Sequence, residues 1–320
     1  MTAAAADLAS TQARGAAPPR VEVLIVGGGP AGLTAATYLR RFHRDCRVLD
    51  GGDSRARRIP ESHNCPGFPD GVSGPELLRR MRTQALDAGV RIERATVDAV
   101  LREGDGFRVA AGERNWRADA VILATGVSDV LPQVDWAEEA IACGAIRLCA
   151  ICDAFEATDQ RIGVYGPREA VASHARFLRS YTAQLTLMPT DQAFDAACPP
   201  PYAEDAVRVL PPGGALTFDG ERCAYRSPDG VETVMDTLYP FLGARVAHPL
   251  VVSAHAWPDQ PGETVVDAHQ MTRVPGLYAI GDMVSGLNQI SVAVGQAAIA
   301  ATHLHGQLPF APRRRTEPRA

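Results

Sequence analysis

The sequence predicts an α/β protein built on parallel sheets. Short apolar runs rich in β-branched residues alternate with stretches of helical spacing, and a glycine-rich turn joins the first run to the first helix. Val21–Val26 reads as a buried parallel strand. Pro30–Phe42 has helical spacing, with Gly32, Ala35, Ala36 and Leu39 sharing one face that is small enough to lie close against a sheet. Arg47–Asp50 follows as a strand, Pro75–Ala88 as a helix stopped by Gly89, and Ala120–Ala124 as another buried strand. Arg161–Tyr165, Glu169–Tyr181 and Gln184–Met188 repeat the strand–helix–strand order. Residues 189–214, rich in Pro and Gly, read as irregular connection. Leu277–Ile280 is the last strand, and Ile290–Leu304 a mostly apolar, buried helix.

The 320 residues suffice for two domains of roughly 150 residues each. Hydrophobic residues make up 46% and charged residues 22%, which excludes a disordered chain or a coiled coil and permits a sizeable core. Lys and Arg number 32 against 37 Asp and Glu, a net charge of −5, which argues against nucleic acid or an anionic membrane as partner. No apolar run reaches the roughly 18 residues of a transmembrane helix. The start, Met1–Ala17, lacks the basic-then-apolar order of a signal peptide. Residues 1–19 and the basic, Pro-containing residues 311–320 are expected to be disordered tails. The 7 cysteines are odd in number and irregular in spacing, which points to a cytoplasmic protein with one special pair rather than a disulfide scaffold.

The strand Val21–Val26 runs directly into Gly27-Gly28-Gly29-Pro30-Ala31-Gly32, a G-x-G-x-x-G turn between strand and helix. Gly27 permits the tight turn, Gly29 lets the backbone approach a pyrophosphate, and Gly32 lets the helix sit close to the strand. The phosphates then meet free N–H groups at the helix start. Asp50 closes the next strand, where the pattern needs an acid for a ribose. These residues predict a dinucleotide and do not choose between FAD and NAD.

Cys149-Ala150-Ile151-Cys152 is a C-x-x-C pair followed by Asp153. Two intervening residues allow a small disulfide ring that opens easily, with one sulfur held as thiolate. Asp153 is placed to carry the proton that each exchange moves. Half of a zinc site and a pair of inert thiols are the competing readings. Zinc would need a second pair, and Cys198 and Cys223 do not form one. Cys46, Cys65, Cys143, Cys198 and Cys223 read as structural.

These segments, in this order, resemble the low-molecular-weight thioredoxin reductases from about Val21 to Leu308. Two further segments belong to the likeness. Thr272 to Ala279, Gly281 and Asp282 resemble the signature whose Asp meets the ribityl chain of FAD, and Ala124-Thr125-Gly126 resembles the crossover past the flavin. The resemblance implies FAD as cofactor and two Rossmann-like dinucleotide-binding domains, the second inserted in the first. The FAD domain would comprise residues 20–142 and 246–310, and the inserted, pyridine-nucleotide-like domain residues 143–245. It implies that Cys152 faces the flavin, that Cys149 exchanges with the substrate, and that Asp153 is the acid/base. Asn64, in Ser62-His63-Asn64-Cys65-Pro66-Gly67, and Gln289 and Ile290 match the family's flavin-contacting positions. It also implies a homodimer.

The second nucleotide site departs from that pattern and reads as degenerate. Where the family has a second Gly-rich turn, this chain has Gly166-Pro167-Arg168-Glu169-Ala170. Pro167 removes a backbone donor and Glu169 adds negative charge at the helix start. Where the family holds the 2′-phosphate of NADPH with basic residues, this chain has Met188-Pro189-Thr190-Asp191. A flavin with a redox disulfide and no nicotinamide site resembles the dithiol oxidases of the gliotoxin, holomycin and romidepsin pathways. The expectation is therefore an enzyme that closes a disulfide in a small-molecule or peptide dithiol, with oxygen as acceptor and no metal. The alternatives are a reductase fed by ferredoxin or by NADPH at an altered site, with Arg168 on a phosphate, and a non-catalytic flavin-binding module.

Overall fold

The computed structural model describes residues 20–194, 200, 207–246, 251–252, 264–284, 286–310 and 312. Residues 1–19, Cys198 and most of 311–320, for which expectations were stated above, lie outside them. In chain order the first half comprises β1 (Arg20–Val26), α1 (Pro30–Arg41), β2 (Cys46–Asp50), α2 (Gly74–Asp87), β3 (Arg91–Arg94), β4 (Ala99–Glu103), β5 (Gly106–Ala111), β6 (Arg114–Leu123) and β7 (Val127–Asp129). The middle comprises α3 (Ala137–Ala142), α4 (Ala150–Asp153), β8 (Ile162–Gly166), α5 (Arg168–Leu178), β9 (Leu185–Pro189), β10 (Arg208–Val209), β11 (Ala215–Phe218), β12 (Cys223–Arg226), β13 (Glu232–Met235) and β14 (Thr237–Pro240). The remainder comprises β15 (Ala244–Val246), β16 (Val251–Val252), β17 (Leu277–Ala279) and α6 (Ile290–Gln307).

Among the described residues, eight strands form the larger sheet in the order β16-β4-β5-β6-β1-β2-β3, with β17 also paired to β6. The pairs β1–β2, β2–β3, β1–β6 and β17–β6 are parallel. Because strand side chains alternate, β1 feeds two cores. Val23 and Ile25 pack against α1 and α6, while Leu24 and Val26 meet Val100, Val109 and Trp116 on the other face. The helical seam is made of small residues, Ala35 and Ala36 of α1 with Ala293, Ala297, Ala300 and Ala301 of α6, all buried.

The second sheet has the order β10-β9-β8-β14, all parallel, and its chain interrupts the first. Val171, Ala175 and Leu178 of α5 cover one face, together with Ala150 and Ala154 at α4. The antiparallel meander β11-β12-β13 covers the other through Cys223, Tyr225 and Met235. β7 and β15 pair antiparallel where the chain crosses between the two sheets.

The parallel sheets expected from the sequence are present, and antiparallel strands are added to them. The pairs β4–β5 and β5–β6 are antiparallel, as is the meander. Their strands alternate faces, with Phe107 and Val109 of β5 buried and Arg108 between them turned to the other side, opposite Arg117 of β6. Such one-faced strands lack the continuous apolar run of a buried parallel strand. The strand expected at Ala120–Ala124 is the buried end of the longer β6. The stretch 189–214 also contains the short strand β10.

Candidate functional site

The turn from β1 into α1 is shaped by missing side chains. Gly27 has φ +115°, and a Cβ there would overlap the Ala124 carbonyl. A Cβ on Gly32 would overlap the Gly27 carbonyl, and one on Gly28 the Asp50 carboxylate. No side chain caps α1, so its first-turn N–H groups remain for an anionic ligand. Asp50, at the end of β2, accepts from Gly52 N at 2.7 Å and from Arg82 Nη1 at 2.9 Å. The acid at the strand end thus lies against the glycine turn, as a ribose contact requires.

One cavity joins this turn to the rest of the candidate site. It is lined by Gly27, Gly29, Pro30, Ala31, Asp50, Asn64, Ala124, Thr125, Gly126, Gly281, Asp282, Gln289 and Ile290, and by Cys149, Cys152 and Asp153. Gly32 is behind the wall, where it lets α1 approach β1. Gly281 has φ +78°, with its N–H 2.7 Å from Gln296 Oε1, which leaves the next residue, Asp282, on the cavity. Burial pushes the Asp282 carboxyl above the usual range, against the pull of Arg55 at 3.5 Å. Asn288 also lines the cavity, and its buried Oδ1 has no partner among the described residues. An acceptor left so costs about 1–3 kcal/mol unless a ligand donates to it. The cleared glycine turn, the acid at the strand end and this orphaned acceptor fit FAD. Gly27→Val is expected to abolish FAD retention, read as loss of visible flavin absorbance per purified chain, because the Cβ overlap comes on top of roughly 1–3 kcal/mol of backbone strain.

Cys149 and Cys152 form a disulfide with Cα atoms 5.3 Å apart. The segment before it runs along β14, with Arg147 N donating to Leu238 O at 3.0 Å and Leu238 N to Ala145 O at 2.8 Å. The alanines of α4 are buried, whereas Ile151 and Phe155 are exposed. The sulfurs therefore sit on a short helix anchored to the second sheet and face the cavity of the first.

Asp153 accepts from the Tyr239 hydroxyl at 2.8 Å and lies 3.5 Å from Arg147 Nη1. Burial raises its carboxyl above the ordinary aspartate range, and Tyr239 and Arg147 offset part of that rise. A carboxyl shifted in this direction holds its proton closer to neutral pH, which suits proton exchange with thiols. Burial, reinforced by Asp153, keeps Tyr239 protonated as a donor.

At the second turn, a Cβ on Gly166 would overlap the Phe241 carbonyl, and Pro167 precedes α5 with no N–H to give. The Arg168 N–H, which would face a phosphate, donates to Asp191 Oδ1 at 2.8 Å. The same oxygen accepts from Gln192 N at 2.8 Å, and these two bonds hold the Asp191 carboxyl below its usual range. The Arg168 guanidinium donates to the Ala193 carbonyl at 3.3 Å.

Sequence reasoning missed Arg55, Arg147, Tyr239 and Asn288. Arg55 pairs with Asp129 through bonds of 2.7 and 2.8 Å across 74 residues, and Tyr239 reaches Asp153 across 86. The only local signal for Arg55 was the basic run Arg55-Ala56-Arg57-Arg58 between the ribose acid and Asn64. Cys65, a neighbour of Asn64, is buried against Val72 and Leu77.

Residues 21–297 match the sequence profile of the family described as pyridine nucleotide-disulphide oxidoreductase. A thioredoxin reductase of Mycolicibacterium smegmatis is 36% identical over 178 residues, which cover 55% of this chain and 57% of that protein. The match thus spans little more than half of that relative's length. A thioredoxin reductase of Listeria innocua is 27% identical over 297 residues, 87% of this chain and 91% of that protein. Among solved structures, the thioredoxin reductase of Streptococcus pyogenes superposes with a TM-score of 0.78 at 23% identity, over 91% of this chain and 98% of that one. HlmI superposes with a TM-score of 0.80 at 23% identity, over 90% and 92%. At these identities the structures attest the fold. With a disulfide and a cradle that fits FAD on one cavity, and with most of its length matching one profile, the chain belongs to the pyridine nucleotide-disulphide oxidoreductase family.

Proposed function

We propose that this enzyme is a dithiol oxidase, closing a disulfide in a small-molecule or peptide dithiol with oxygen as the final acceptor. The observation that carries the reading is the state of the turn after β8. Pro167 offers no donor, and the Arg168 N–H is engaged by Asp191. Two lost charge-assisted hydrogen bonds, at about 1.5–3 kcal/mol each, weaken a pyrophosphate by about 10²–10⁴-fold. The Asp191 carboxylate adds repulsion at the same place, and Pro189 and Thr190 supply no cation for a 2′-phosphate.

In this reading a substrate thiolate attacks the Cys149 sulfur and the Cys152 sulfur leaves as thiolate. The second substrate thiolate then attacks the mixed disulfide, the cyclic product departs, and Asp153 returns a proton to Cys149. The substrate is oxidised by two electrons and the protein pair reduced by two. Bound FAD supplies the route by which that electron pair reaches oxygen, yielding peroxide. Arg147 and Tyr239 hold Asp153 in place for the proton transfers.

The test is anaerobic mixing of the yellow protein with NADPH and, separately, with dithiothreitol, followed by visible absorbance. Bleaching by the dithiol alone, reversed by air, is the expected result. Prompt bleaching by NADPH overturns the reading and favours the second one, an ordinary disulfide reductase. That alternative is supported by the Listeria relative, a thioredoxin reductase matched over 91% of its length.

A further inference from the structure

We propose that Gln289 is a catalytic residue of the disulfide: its side-chain amide is the donor that holds the thiolate released when the Cys149–Cys152 bond opens. Nε2 of Gln289 lies 3.2 Å from Cys152 Sγ and 3.4 Å from Cys149 Sγ. The family likeness put this residue beside the flavin, and the geometry gives its side chain a different partner.

The amide is held from behind by two positioning residues. Gln289 Oε1 accepts from Asn64 Nδ2 at 3.0 Å, and Asn64 Oδ1 accepts from Ser62 Oγ at 3.0 Å. Both ends of this relay are fixed through the backbone. Ser62 is buried and bonded to Val72 in both directions, at 2.9 and 3.0 Å. The Gln289 carbonyl accepts from Ala293 N at 3.0 Å at the start of α6.

A relay of two amides and a hydroxyl has two possible polarities. In one, each donor points toward the sulfurs and Gln289 presents N–H to them. In the other, Gln289 presents its carbonyl, and oxygen lone pairs face sulfur lone pairs. Neither a disulfide nor a thiolate has a proton to offer that carbonyl. Only the first polarity serves the disulfide and the Cys152 thiolate alike, so the relay keeps an N–H aimed at the pair as the bond opens. The bond to a neutral disulfide is weak, and it strengthens as charge develops on the leaving sulfur. That difference favours opening of the disulfide, whichever way the electrons finally travel. The inference therefore stands apart from the choice of oxygen as acceptor.

The charged groups that line the cavity with the sulfurs are Arg147 and Asp153, backed by Tyr239, together with Asp50, Asp53, Arg55, Arg58, Glu61, Asp129 and Asp282. Arg147 is paired with Asp153, Arg55 with Asp129 and Asp282, and Arg58 with Glu138, so all three of these cations are held by carboxylates. A neutral amide is thus the group that directly meets the sulfurs.

The test uses the FAD-loaded protein, reduced and desalted without oxygen. Its alkylation by iodoacetamide is followed against pH and mapped to Cys152 and Cys149 by peptide mass spectrometry. Gln289→Leu is expected to move the pH midpoint of Cys152 alkylation up by about one unit, the size of one charge-assisted hydrogen bond. Gln289→Glu moves it further up, because a carboxylate repels the thiolate. Asn64→Ala moves it in the same direction by less, since the amide stays but is free to turn. A midpoint unchanged in both Gln289→Leu and Asn64→Ala overturns the assignment. If Gln289→Leu fails to fold, the exposed position of Asn64 makes Asn64→Ala decisive alone. A bleaching result in favour of NADPH leaves this readout untouched, so the two proposals fail separately.

Discussion

Cys149→Ser is expected to abolish dithiol turnover while the purified protein stays yellow. The loss should be at least about 10³-fold, the scale on which removal of a covalent catalytic group is felt. Retention of colour follows from where the residues sit. The cofactor cradle is built from the β1–α1 turn, the end of β2, the end of β6 and the start of α6, and none of these carries the cysteines. The anchors of α4, Ala150 and Ala154, are also untouched. Cys152→Ser should be as inactive but different in kind. It leaves the substrate-exchanging sulfur as a lone thiol, so its thiolate should displace glutathione from added glutathione disulfide and hold the resulting mixed disulfide, visible by intact mass. Turnover of Cys149→Ser equal to wild type would remove the disulfide from the reaction path.

Asp153→Asn comes next in size, with an expected loss of about 10²–10⁴-fold in the rate of thiol–disulfide exchange, the usual contribution of a positioned acid/base. Stability should move the other way. Burial raises the Asp153 carboxyl, so the folded protein binds its proton more tightly than the unfolded chain does. Such a group favours folding fully at pH values below its unfolded pKa, and that contribution is lost as pH rises through the folded value. At neutral pH the ionised carboxylate is therefore a burden that asparagine does not carry. Asn also keeps an oxygen to accept from Tyr239. Thermal unfolding at neutral pH should show Asp153→Asn no less stable than wild type, and its advantage should shrink as the pH is lowered. A variant clearly less stable at neutral pH would show that the ionised form is held by Arg147 and Tyr239 more strongly than burial opposes it.

The parts legible in the sequence were those where chemistry forbids alternatives. Gly27 and Gly32 must lack a Cβ because the neighbouring carbonyls leave no room, and so the turn announces itself. Asp50 was legible because the fingerprint fixes its distance along the chain, and α6 because eighteen residues with almost no charge have few places to go. What was not legible depends on pairing across the chain. The strands β5 and β6 carry Arg108 and Arg117 opposite each other on their open side, and Arg102 and Arg114 lie over the Phe107 and Trp116 rings at the strand ends, so charges interrupt every apolar run and these strands do not read as core. Tyr239 looks like any apolar strand residue until Asp153 is set against its hydroxyl. Arg168 was read from sequence as a side chain near a phosphate. The decisive group there is its backbone N–H, which is committed to Asp191, a residue on the far side of α5 and β9 in the chain.

The alanine seam between α1 and α6 bears on how the protein tolerates change. Both helices begin at the cavity, α1 at Pro30 and α6 at Ile290. Both are stiff, and along the seam they are separated by little more than methyl groups. A larger residue at Ala35 or Ala297 has no space to fill and must push the rods apart, at a typical cost of about 1–3 kcal/mol. The displacement is carried to the rod ends, where the phosphate-facing turn and the Asn288–Gln289 segment lie. Drift in the interior of this protein should therefore be felt first as looser cofactor and a misaligned sulfur partner, well before the fold itself gives way.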